Sequence, residues 1–289
     1  MSTAELVAPA AVRAPAPVST RLLRSELGMI FRRRRNQAIL LVLALIPVVI
    51  GVAIRVASPA PDASGDGPPF LFSIAGNGIF VALTALTVVL PLFLPLAVSV
   101  VSGDSVAGEA GLGTLRYLLV VPVSRTRVLL VKYTGAVAYC LVAALLVAAV
   151  GVGLGALLFP VGPVTLLSGT TVSLGSGILR LVLVALYVAA MMAGLAAIGL
   201  FVSTLTDSPV AAMATTAVLA VTSQVLDTVP QLDWLHPWLF SHYWLNYGDL
   251  LRDPMATDGV VRGLLATGAY VLVFGLAAWA RLSTKDVSS

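Results

Sequence analysis

Four stretches of this 289-residue chain contain no Asp, Glu, Lys or Arg at all: those between Asp66 and Asp104, Lys132 and Arg180, Arg180 and Asp207, and Asp207 and Asp227. Each holds roughly the 20 residues that a helix needs to cross a bilayer. A soluble domain carries about 25% charged residues, whereas here charged residues are 10% and hydrophobic ones 59%. So much apolar side chain cannot be covered by a water-soluble fold of this length, and the chain reads as an all-α integral membrane protein.

Reading each run with its breakers predicts six transmembrane helices, at 37–57, 76–101, 133–159, 178–203, 208–227 and 260–281. Long continuous runs favour helices over a barrel, whose strands would alternate over about ten residues. Pro47 lies in the first span and Pro91 and Pro95 in the second. Neighbouring helices can satisfy the carbonyls that proline frees, so kinks are expected and not breaks. With both termini cytoplasmic, 13 of the 17 Lys and Arg residues fall inside, which sets the orientation as N-in, C-in and multi-pass, with the plasma membrane as location. This basic excess is topogenic and headgroup-directed; no soluble basic face for nucleic acid is visible.

Residues 1–18 are rich in Ala and Pro and read as a disordered tail. No cleaved signal peptide is expected, because the first apolar run begins near Ala38 and is long enough to span. Residues 19–36 place Leu22, Leu23, Leu27, Ile30 and Phe31 at helical spacing among arginines, which predicts an amphipathic helix in the cytoplasmic interface, capped by Ser19 or Thr20. A simple extension of the first span is the alternative. Arg32, Arg33, Arg34 and Arg35 are expected to contact headgroups and to anchor the positive side, in preference to forming a twin-arginine signal. The six-span domain covers 37–281, and 282–289 is a cytoplasmic tail.

Residues 58–70 and 160–177 are turn-rich linkers. The 228–259 segment is different, holding Trp234, Trp238, Tyr243, Trp244 and Tyr247. Such rings settle at headgroup level, which predicts a short helix or hairpin there, with Trp234, Trp238 and Trp244 at the interface. Asp233, His236 and His242 sketch a metal site, but no pair has helical i, i+4 spacing, and no metal is assigned. Cys140 stands alone in the third span and is expected to be inert. No serine has a Gly-x-Ser-x-Gly setting with a plausible His and Asp, so no catalytic residue is assigned.

Two lysines, Lys132 and Lys285, follow Val131 and Thr284, so a Walker A Gly-Lys pair does not exist in the chain. An ion-coupled carrier would be expected to hold a midplane titratable group. The span interiors offer instead Asn77, Thr84, Thr87, Thr215, Thr216 and Gln224, read as helix-to-helix or i−4 hydrogen bonders. Gly151 and Gly155 form a GxxxG, and small residues crowd the fourth span, which predicts close helix packing.

Between two apolar runs lies GEAGLGTLRYLLVVPVSRTRVLLVKY, residues 108–133. Leu112, Leu115, Leu118 and Leu119 share one helical stripe and Thr114, Arg116 and Tyr117 the other; Pro122 ends the helix and Ser124 caps the next span. A short amphipathic helix joined to two spans can pass an external push into the bundle. Glu109 is expected to cap amides or to pair with a cation such as Arg116.

Glu109, Gly113, Thr114, Leu115, Leu118, Leu119, Pro122, Ser124, Arg125 and Lys132 match the cytoplasmic loop pattern of ABC-2 type permeases, which this stretch resembles. The resemblance implies a membrane-spanning subunit that pairs with a second permease subunit, as a homo- or heterodimer, and with separate ABC ATPase subunits. It places ATP and Mg on those partners, with no cofactor and no enzymatic activity on this chain. It further implies that Glu109, Gly113, Thr114, Leu115, Arg116, Tyr117, Leu118, Leu119 and Pro122 form a coupling helix against the ATPase. The N-terminal helix would touch the ATPase too, and 37–57 and 208–227 would line the dimer interface. The function so implied is ATP-driven export of an amphiphilic or lipid-like compound. The alternatives are a non-transporting anchor or assembly factor and, third, a secondary carrier.

Overall fold

The computed structural model describes residues 20–57, 77–111 and 124–284. The expected disordered tail, most of the coupling helix (Gly113 to Pro122 among its residues) and the last five residues lie outside them. The described residues form a mostly helical bundle: α1 (Thr20–Arg32), α2 (Arg34–Ala57), α3 (Ile79–Val89), α4 (Phe93–Gly111), α5 (Arg125–Leu158), α6 (Leu174–Leu205), α7 (Pro209–Asp227) and α8 (Asp258–Thr284). Between α5 and α6, Val164–Thr165 and Thr171–Val172 pair as a minimal antiparallel hairpin. Between α7 and α8 come three 3-10 turns, Pro230–Leu232, His236–Trp238 and Trp244–Leu251.

Five helices, α2, α5, α6, α7 and α8, are each long and apolar enough to cross a membrane. The expected second span is not one kinked helix. It is broken at Leu90–Leu92 into α3 and α4, which meet at a bend of 58°. Pro91 sits in the break, where it has no N–H to continue the ladder, and Pro95 follows in the first turn of α4. The freed Pro91 carbonyl accepts a hydrogen bond from Gln224 Nε2 of α7 at 2.7 Å, so a neighbouring helix does satisfy the break. Pro47, by contrast, lies within a continuous α2.

The arginine-rich helix is separate from the first span. A single residue, Arg33, stands between α1 and α2, and side chains of α2 take over the last carbonyls of α1: Asn36 Nδ2 donates to Ile30 O at 2.9 Å and Gln37 Nε2 to Phe31 O at 3.0 Å. The boundary falls earlier than the expected 36, so Arg34 and Arg35 belong to α2. At the other terminus α8 runs to Thr284, into the expected tail.

At the centre stands α6, whose face of Ala, Gly and Met is buried by α4, α5 and α8. The predicted GxxxG packs α5 on α3. A Cβ at Gly151 would come within 2.5 Å of Ala82 Cα, and one at Gly155 would run into the carbonyl of Gly78. Only hydrogen at these positions permits the backbones to approach so closely.

Contacts define two ends. Gly111 lies against Asp207, and Arg125 Nη1 donates to the carbonyls of Leu282 and Ser283 at 2.7 Å each; this is the charged end. At the opposite, aromatic end, Gly78 N donates to Pro160 O at 3.0 Å and Leu167 N to Leu251 O at 3.0 Å. Together α3 and α4 therefore run from the aromatic end to the charged end, as α6 does alone.

Candidate functional site

Helices extend further into the loop of interest than expected. α4 continues to Gly111 and α5 begins at Arg125, capped by Ser124, whose Oγ accepts from Arg127 N at 3.4 Å. The linking segment shrinks to 112–124, Glu109 falls in the last turn of α4, and Lys132 lies two turns inside α5. At about 1.5 Å per residue, the 34 residues of α5 exceed the roughly 30 Å of a hydrocarbon core, and its charged first turns form the surplus.

These extensions assemble a buried ion-pair cluster. Lys132 Nζ donates to Glu109 Oε1 at 2.6 Å and to Glu26 Oε1 of α1 at 3.4 Å. The lysine side chain is only 3% exposed. Arg116, the cation expected for Glu109, lies outside the described residues; Lys132 reaches Glu109 from 23 residues on because α4 and α5 run side by side through the charged end. Gly135, one turn beyond Lys132, lets α1 approach: a Cβ there would lie 2.7 Å from Ile30 Cδ1 and 3.3 Å from Glu26 Cγ.

Asp104, buried on α4 and two turns before Gly111, is the second anion. Arg33 pairs with its Oδ2, and Arg35 Nη2 reaches the same oxygen at 2.9 Å. The absence of a side chain at Gly108 leaves the space for this carboxylate, since a Cβ would sit 2.6 Å from Asp104 Oδ1. Of the four arginines read as headgroup contacts, Arg33 and Arg35 thus pair with Asp104, and all four side chains remain exposed. From the other side, Ser203 of α6 grips the same stretch of α4. Its Oγ donates to Gly103 O at 2.6 Å and accepts from the amides of Val106 and Ala107 at 3.0 and 2.8 Å.

Between the two ion-pair groups remains a space of about 30 Å³, enough to hold a water molecule beside the charges. The last turns of α4 are therefore held by α1, α2, α5 and α6 at once. What this arrangement can do is mechanical: displacement of either helix end flanking 112–124 must move or break pairs that reach α1. A lysine this buried, with two carboxylates on it, was missed because its partners are remote in sequence.

Elsewhere the hydrogen-bonding reading of the polar span residues holds for Thr87 and Thr216, which donate to Leu83 O and Ala212 O. Asn77 fastens the start of α3 to the segment after α5: Nδ2 donates to the carbonyls of Gly162 and Pro163 and Oδ1 accepts from Ile79 N. At the aromatic end Trp234 and Trp238 are 71% and 74% exposed. Trp244 departs from the expected headgroup role: at 3% exposure it is a core residue, packed on Phe240, because its 3-10 turn lies against α6 and α8. The Tyr247 phenol next to it is pushed up by burial, an effect that its hydrogen bond with Thr87 opposes. Arg180, expected at an outer span end, is buried there, donating to Leu250 O at 2.9 Å and Arg252 O at 2.5 Å.

A lateral groove of about 520 Å³ opens between α5, α6 and α8, lined by Leu129, Tyr133, Leu200, Leu272, Leu276 and Trp279, with almost no polar surface. Trp279 Nε1 donates to Thr126 Oγ1 at its charged end.

No curated protein matches this sequence. The model of one family, described as "Protein of unknown function (DUF2705)", matches residues 38–288, nearly the whole helical bundle, and the chain belongs to that family.

Proposed function

We propose that the chain is the six-span permease subunit of an ABC-2 type exporter, moving an amphiphilic or lipid-like compound across the plasma membrane with ATP hydrolysed by a separate subunit. The observation that carries this reading is the Glu109–Lys132–Glu26 cluster. It ties both helix ends that flank 112–124 to each other and to α1, as a subunit driven from outside requires. The apolar groove between α5, α6 and α8 suits an acyl chain or other amphiphile. In this reading the termini and the charged end face the cytoplasm, 113–122 docks in the ATPase, and a second permease subunit completes the pathway.

The test asks first whether the adjacent reading frame encodes a Walker A ATPase, whose absence would favour a non-transporting anchor, and then co-expresses the two. A docked helix depends on a few desolvated leucines, where a buried, unpaired charge costs several kcal/mol. Leu115→Asp and Leu118→Asp are expected to release the ATPase in pull-downs and to abolish transport-coupled ATP hydrolysis, with Ser64→Asp as a silent control. Retained partner and full coupled activity in the leucine variants would sink the reading.

A further inference from the structure

We propose that Asp227, His236 and His242 form a Zn2+ site that clasps the aromatic loop to the end of α7. The chain has two histidines in all, and the fold brings both to one point beside a carboxylate. Asp227 is the last residue of α7, His236 opens the second 3-10 turn, and His242 precedes the third. One potential ligand atom from each lies within 4.8 Å of the others, and all three residues are partly buried. In a tetrahedral zinc site with bonds of about 2.0–2.1 Å, donors stand about 3.3 Å apart. Closing this cluster on an ion takes side-chain rotations and no change of fold.

The hydrogen bonds prepare the donors. His236 Nε2 is 3.1 Å from Val229 O, and a carbonyl only accepts, so the ring proton sits on Nε2 and the Nδ1 lone pair is left for a metal. An outer carbonyl that fixes the tautomer in this way is the usual support of a ligating imidazole. His242 Nδ1 lies 2.6 Å from Asp227 Oδ1 and donates to it, which holds ring and carboxylate together; the ring then ligates through Nε2, or through Nδ1 with release of this proton. The two imidazole rings are 5.9 Å apart, centroid to centroid. Asp233, with Oδ1 at 3.5 Å from His236 Nδ1, is a further carboxylate beside the site. Among the described residues neither Asp227 nor Asp233 is paired with Lys or Arg, so two carboxylates face the two imidazoles. Two nitrogens and a carboxylate suit zinc. Sequence spacing concealed the site because its third ligand, Asp227, lies on α7, outside the loop that holds the histidines.

The site does not depend on the transport reading, and its test needs no transport. The full chain is purified in detergent with a histidine-free tag, stripped with chelator and titrated with Zn2+ alone. One ion per chain is expected, with a raised thermal midpoint and with affinity weakened at least about tenfold by Asp227→Asn or His242→Gln. Because no other histidine exists, diethylpyrocarbonate modification of the unmutated protein reads these two rings only, whether or not a variant folds. Zn2+ is expected to protect both. Absence of stoichiometric binding, or binding that leaves both imidazoles as reactive as in the stripped protein, overturns the site.

Discussion

Lys132 makes the largest electrostatic commitment among the described residues. Its ammonium is buried against Glu109 at 2.6 Å and Glu26 at 3.4 Å, with both carboxylates mostly covered. Removing one partner of a buried pair costs about 3–5 kcal/mol, since it strands a charge that water cannot reach. Lys132→Ala strands two carboxylates facing each other, and is expected to destabilise the protein by about 3 kcal/mol. Glu109→Ala is expected to cost less, because Glu26 stays on the ammonium. The double variant should then fall short of the sum of the singles, with a coupling of about 1–3 kcal/mol. Unfolding of the detergent-solubilised protein measures all three, and strictly additive singles would mean that the pair contributes nothing. None of this was readable locally. Glu109 and Lys132 stand out in the sequence as charges in apolar surroundings, but their meeting depends on the side-by-side approach of α4 and α5, and Glu26 enters only through α1.

At the scale of elements, what period and composition express was legible and what side-chain geometry decides was not. The long apolar runs give α2, α6, α7 and α8 within about four residues and the far end of α5 within one, because a helix in an apolar medium must satisfy its own backbone, while α5 starts well before the expected 133, at Arg125. Pro91 was legible as a disturbance but not as a break. The 58° bend needs Gln224 of α7 to take the freed carbonyl, a contact set by packing. The GxxxG of α5 was a weak pattern in the sequence, and the structure shows which of its neighbours matters. Gly155 faces the Gly78 backbone, whereas Gly153, two residues earlier, has nothing within 4 Å of where a Cβ would be. Alanine raises helix propensity by about 1 kcal/mol over glycine. Gly153→Ala is therefore expected to be neutral or mildly stabilising, and Gly155→Ala to lower the thermal midpoint by several degrees as α3 is forced off α5. Equal midpoints for the two variants would show that the α3–α5 contact is not close.

The whole molecule is polar along its axis. Arg33, Arg35, Asp104, Glu109, Arg125 and Lys132 gather at one end, and Trp234, Trp238, Trp244 and both histidines at the other. Charge counting over the sequence anticipates that polarity, because cations sort by side of the membrane whatever the packing. It could not say which cations are exposed anchors and which, like Lys132, are buried ion-pair partners. Polarity also supplies a test of how often the chain crosses. Residues 231 and 283 stand at opposite ends of α8 with both side chains exposed, and a single crossing by α3 and α4 puts 231 outside when the N-terminus is inside. Cys140 is buried, so a Cys140→Ala background removes the only native thiol at little risk to the reading. In that background Gln231→Cys is expected to react with a membrane-impermeant maleimide on intact cells, and Ser283→Cys only after the membrane is opened. Ser241 would be a poor reporter for the same end, since its hydroxyl is buried against Ser223 at 2.6 Å. If the pattern is reversed, with Ser283→Cys reacting from outside and Gln231→Cys only after the membrane is opened, the bent pair α3–α4 enters and leaves on one side, the charged end does not face the cytoplasm, and 112–124 is no place for an ATPase to push.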